Sequence, residues 1–110
     1  MCDFQRLAYN EHGYVVRCND CNHFQVGFGT TMMTLSHTDF YAFIKLIEEK
    51  LLLVMQENIM MHEEMKTIVI PTPYAGICII VTKKELQHLR DMLENVDNEL
   101  KALSLLELFR

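Results

Sequence analysis

The residues best suited to chemistry fall in one short stretch, HGYVVRCNDCNHFQVGFGTT, residues 12–31. Cys18 and Cys21 stand at C-x-x-C spacing, with His12 before them and His23 after. Thiolates and imidazoles are the ligands zinc prefers, and a structural site closes a tetrahedron with four of them. A C-x-x-C pair supplies two, so the others must come from Cys2, His12 and His23. Residues 14–17 and 24–28 read as strands, which puts the Cys pair on a tight antiparallel connection. That is the geometry of a zinc knuckle. If a first strand over residues 4–9 pairs antiparallel with residues 14–18, its start lies beside Cys18. This pairing carries Cys2 toward the knuckle and His12 away from it. The expected site is therefore a structural zinc held by Cys2, Cys18, Cys21 and His23, with His12 as the alternative fourth ligand. The other use of Cys18 and Cys21 is a thiol redox enzyme or sensor. Such pairs sit at a helix N-terminus, whose dipole lowers one thiol pKa, whereas here strands flank both sides.

Other chemistry is sparse. Cys78, inside the apolar run ICIIV, is expected to be a buried small hydrophobe. His37, His62 and His88 are expected to face solvent. His62-Glu63-Glu64 lacks the second histidine a helical metal motif needs. No Ser/His/Asp order and no glycine-rich phosphate loop stands out. Glu48-Glu49 reads as a solvated face, and the eight methionines as core filling. The expectation is a non-enzymatic interaction or regulatory module. A formal charge of −5 and a pI near 5.4 argue against broad attraction to nucleic acid or anionic membranes. The longest apolar runs are too short to span a bilayer. The first residues lack the apolar stretch of a signal peptide, so a cytoplasmic setting is expected, with cysteines reduced or metal-bound.

The elements that must position these residues are legible from periodicity. A chain of 110 residues makes one domain, residues 1–110. Residues 1–35 are strand-rich and carry the Cys turn; Phe24, Val26 and Phe28 alternate with polar or small residues. Ser36-His37-Thr38-Asp39 opens a helix over 36–58, where Phe40, Phe43, Ile44, Ile47, Leu51 and Val54 recur three and four apart. Residues 66–82 read as a hairpin, turning at Pro71-Thr72-Pro73. Its second arm is apolar on both faces and suggests a central strand. Thr82-Lys83-Lys84-Glu85 is a capping box for a helix over 83–109. The fold class is α+β: an antiparallel sheet of five or six strands with two long helices on one face, the other face carrying Arg17, Gln25 and Thr34. Leu35-Ser36-x-x-Asp39-Phe40-x-x-Phe43 echoes Val81-Thr82-x-x-Glu85-Leu86-x-x-Leu89. The echo is either a duplicated β-β-α unit or the generic look of two strand-to-helix junctions. Residues 103–109 leave more apolar surface than a terminus usually shows. Self-association through them and the Met60-Met61 connector is the expected contact, giving a homo-oligomer, alongside a protein partner of unspecified kind.

Cys2 near the start, His12-Gly13, Arg17-Cys18-x-x-Cys21 and Gln25-Val26-x-Phe28-Gly29-Thr30 together resemble a family of short, uncharacterised bacterial proteins of Bacteroidetes type, classed as a domain of unknown function. The likeness covers most of the chain and is most distinctive in the first 43 residues. It implies a bacterial cytoplasmic setting, and neither an activity nor a substrate.

Overall fold

The computed structural model describes residues 3–57 and 65–109. Period-two alternation builds its first half. Strands β1 (Phe4–Asn10), β2 (Gly13–Cys18), β3 (Phe24–Phe28) and β4 (Thr31–Leu35) form an antiparallel sheet in chain order. Val15 lies opposite Val26, and Val26 opposite Met33; Phe24 lies opposite Leu35. Cross-strand partners share a face, so these residues and Phe28 make one continuous buried surface. Gln25, Met32 and Thr34 take the opposite face, where Met32 and Thr34 are exposed.

Arg17 is a correction to the expectation that it shares this wetter face. It is two residues past Val15 and opposite Phe24, and strand alternation therefore sends it to the helix-covered side. Its polarity was a poorer guide than its register.

Helix α1 (His37–Gln56) begins where Ser36 Oγ accepts the Asp39 N–H at 3.1 Å, and it ends with Glu57 as its C-cap. Asn58, the expected end, and the Met60-Met61 connector lie outside the described residues. Helix α2 (Lys83–Leu108) begins with a reciprocal box: Glu85 N–H donates to Thr82 Oγ1, and Thr82 N–H to Glu85 Oε1, both at 3.0 Å. The apolar stripes of both helices join the buried face of the sheet in one core. The two junctions that echo each other in sequence are alike in burial: Leu35 and Val81, Phe40 and Leu86, Phe43 and Leu89 are all in the core.

The remaining strands, β5 (Ile68–Pro71) and β6 (Cys78–Val81), pair with each other in a separate two-stranded sheet, so the single continuous sheet expected from sequence is divided. Where the two sheets approach, the Tyr74 hydroxyl donates to the Thr34 carbonyl, so a side chain rather than a strand meets the β4 edge. Pro71, with no N–H, could not extend a ladder there. β6 is accordingly no central strand. Ile79 and Val81 face the core, and alternation turns Cys78 and Ile80 outward. Cys78, expected to be buried, is exposed.

The β1–β2 turn is held by Asn10 Oδ1, which accepts from His12 N–H at 2.8 Å and Gly13 N–H at 3.1 Å. A Cβ on Gly13 would collide with the Gly27 carbonyl oxygen on the neighbouring strand. Gly13→Ala is therefore expected to lower stability by about 1–3 kcal/mol through forced displacement of backbone. Denaturant unfolding measures this, and an unchanged midpoint would contradict so close an approach.

Candidate functional site

The Cys turn is built by backbone hydrogen bonds around Cys18. Its N–H donates to the His23 carbonyl at 2.8 Å, and its own carbonyl accepts from Asn22 N–H at 2.9 Å. Asn22 takes positive φ, 57°, a conformation asparagine tolerates better than most residues. The tightness of the turn brings Cys21 N–H to 3.4 Å from Cys18 Sγ. Cys18 is buried and Cys21 exposed, so the pair spans the surface of the loop.

Register decides which other candidates reach this loop. Phe4 lies opposite Cys18 and Asn10 opposite Gly13, so the start of β1 meets the Cys turn. Two further bonds strap it there: Asn19 N–H donates to the Asp3 carbonyl at 2.9 Å, and Asp3 N–H donates to Asp20 Oδ2 at 3.1 Å. Asp3 and Asp20 were not singled out in the sequence, although Asn19-Asp20 carries the turn chemistry that could have flagged them. Cys2 itself lies outside the described residues.

His23 borders the loop, exposed, with Nδ1 3.0 Å from the Cys21 carbonyl oxygen. A carbonyl oxygen only accepts, so Nδ1 is the donor in this contact. Among the described residues, no three His, Cys, Asp or Glu side chains gather as a metal site. His12 is held at the opposite end of the hairpin. Its ring stacks on His88 at 3.9 Å between centroids, its Nε2 lies 3.4 Å from Glu11, and its carbonyl accepts from Gly29 N–H. Cys18, Cys21 and His23 thus share one loop without their side chains converging on a common point, and His12 is kept away from it. His88 packs against this ring rather than facing open solvent. His37 is exposed but leans on Tyr41, and His62 lies outside the described residues.

Burial orders the thiols. In native protein a maleimide is expected to label Cys78 readily and to reach Cys18 only on unfolding, as followed by mass spectrometry of digested samples. Native labelling of Cys18 at the rate of Cys78 would contradict the packing of the turn.

No helix among the described residues is long and apolar enough to cross a membrane. No curated protein and no solved structure matches the chain. The profile of a family described as a "Family of unknown function (DUF6686)" matches residues 1–108. With nearly the whole chain covered, from the strap of β1 through the Cys turn to the end of α2, this protein belongs to the DUF6686 family.

Proposed function

We propose that the protein is a non-enzymatic interaction module whose N-terminal sheet is fastened by a structural zinc. The observation that carries the zinc reading is the double strap on Asp3. It ties the start of β1 to the Cys turn through Asn19 and Asp20. In this reading Cys2, Cys18 and Cys21 would supply three thiolates and His23 the fourth ligand. Four protein ligands leave no open position for water, so the metal serves structure rather than catalysis. In zinc-finger peptides such binding is worth ~10 kcal/mol or more. Here a core running through both helices already holds the fold, so the metal's contribution is confined to the β1 start and the Cys turn. A thiol-enzyme reading would have to run through Cys21, because the Cys18 sulfur is buried.

The test of the zinc is elemental analysis of protein purified without chelator. One zinc per chain is expected in the wild type and in His12→Ala, and none in Cys2→Ser. Stoichiometric zinc surviving Cys2→Ser would overturn the ligand set.

The interaction role rests on what α2 leaves uncovered. Leu100 is its last core residue; beyond it Leu105, Leu106 and Leu108 are exposed, as is Phe109 at the cap. On α1, Leu52, Leu53 and Met55 are also exposed. The proposed contact of the C-terminal segment is a second copy of the chain, since burying apolar area at about 25 cal/mol per Å² drives association of such faces. Sedimentation equilibrium is expected to show a dimer that Leu106→Glu with Phe109→Glu converts to monomer. A wild-type monomer at high concentration would contradict this contact.

A further inference from the structure

The two helices turn a second regular stripe toward solvent. On α1 it runs Tyr41, Lys45, Glu48, Leu52 and Met55; on α2 it runs Arg90, Glu94, Asp97, Lys101, Leu105 and Leu108. Steps of four and three keep each set on one face of its helix. Arg90 and Asp97 are half-buried and the others are exposed. The helices run antiparallel. Tyr41, near the start of α1, borders one groove with Leu105 and Leu108, while Leu52 and Met55 border another with Arg90 and Glu94. The shared face is thus apolar toward both ends and charged between them.

Charge and spacing say what covers it. The chain carries −5 overall, yet this face balances Lys45, Arg90 and Lys101 against Glu48, Glu94 and Asp97. A second copy can therefore approach it without net repulsion. Glu48, Leu52 and Met55 stand at i, i+4 and i+7, an acid and then two apolar side chains. Lys101, Leu105 and Leu108 repeat those intervals, with a base in place of the acid. Helical rise sets the apolar pair roughly 6 and 10 Å beyond the charge in both triplets. Lys101, paired with Asp97 at 2.9 Å, also lies in the field of Glu48, so both triplets begin near the middle of the face. Because the helices are antiparallel, the triplets run from there toward opposite ends. A copy turned end over end lays one triplet along the other, base beside acid and apolar pair beside apolar pair. That is the self-complementarity a two-fold contact requires, in which residue i meets j and j meets i. The helix pair is about 20 Å wide and, from Arg90 to Leu108, about 27 Å long. Side-chain relief raises the accessible area of such a face toward the ~800 Å² per partner of a standard interface.

We propose that this face is the dimer surface, with Leu105 and Leu108 of each copy docked against Leu52 and Met55 of the other, the two helix pairs forming a four-helix layer between the sheets. The proposal rests on the self-association of the C-terminal segment proposed above and names the surface that segment meets.

Sedimentation equilibrium of the full chain tests the two separately. Leu52→Lys with Met55→Lys alters α1 alone, at exposed positions. It is expected to weaken the dimer about a hundredfold or more, because each lysine would lose water against apolar side chains. Leu105→Glu with Leu108→Glu is expected to do the same. Mixed in equal amounts, the two variants are expected to form a heterodimer, in which one end pairs lysine with glutamate and the other keeps its native apolar contact. A wild-type chain that stays monomeric would give the face to a different protein and overturn both the self-association and this docking. A wild-type dimer that survives Leu52→Lys with Met55→Lys, or two monomeric variants that stay apart on mixing, would overturn the docking alone. Should either double variant lose helix by circular dichroism, Met55→Lys and Leu105→Glu as single substitutions decide the same outcomes.

Discussion

The structure depends on the register with which β3 leaves the Cys turn. Phe24 is the first residue of that strand, and its ring lies flat on Phe40 of α1, with centroids 4.0 Å apart and planes 8° from parallel. Both rings are fully buried. Phe24 also faces Arg17 on one side and Leu35, just before the Ser36 cap, on the other. One ring therefore joins the turn, the sheet and the entry to α1. A slip of one residue would turn Phe24 to solvent, and with it the whole inner row of the sheet.

The same register separates two neighbouring side chains at this end of the molecule. Cys18 and Arg17 are adjacent and point to opposite faces, as alternation requires. The sulfur belongs to the loop strapped by Asp3, while the guanidinium belongs to the helix-covered side. Gln5 is the cross-strand partner of Arg17, and Phe4 is that of Cys18, so β1 serves both sides at once.

The sequence was informative where a period or a cap is strong. The long stripes of α1 and α2, the Ser36 cap, the Thr82–Glu85 box and the alternation of β3 all correspond to elements found here. The antiparallel pairing of β1 with β2 was likewise readable, and with it the separation of His12 from the Cys turn. Residue character misled where it conflicted with position. Arg17 is polar yet faces inward, because its place in the strand outweighs its preference for water. Cys78 and Ile80 are apolar yet face outward, because β5 and β6 are covered on one side only. The division into two sheets was not legible either. Where the sheets approach, the Tyr74 hydroxyl meets the Thr34 carbonyl, a contact across 40 residues that carries no periodic signal. The stack of His12 on His88 is equally non-local.

The zinc proposal rests on a turn that presents an N–H to sulfur, a positive-φ asparagine within it, and a strand start tied to it twice. X-ray absorption at the zinc edge of the purified protein tests this most directly, because it reads the ligand atoms. The account requires a four-coordinate shell of three sulfurs and one nitrogen, with zinc–sulfur distances of about 2.3 Å. A shell of nitrogen and oxygen alone, or one holding only two sulfurs, would contradict it.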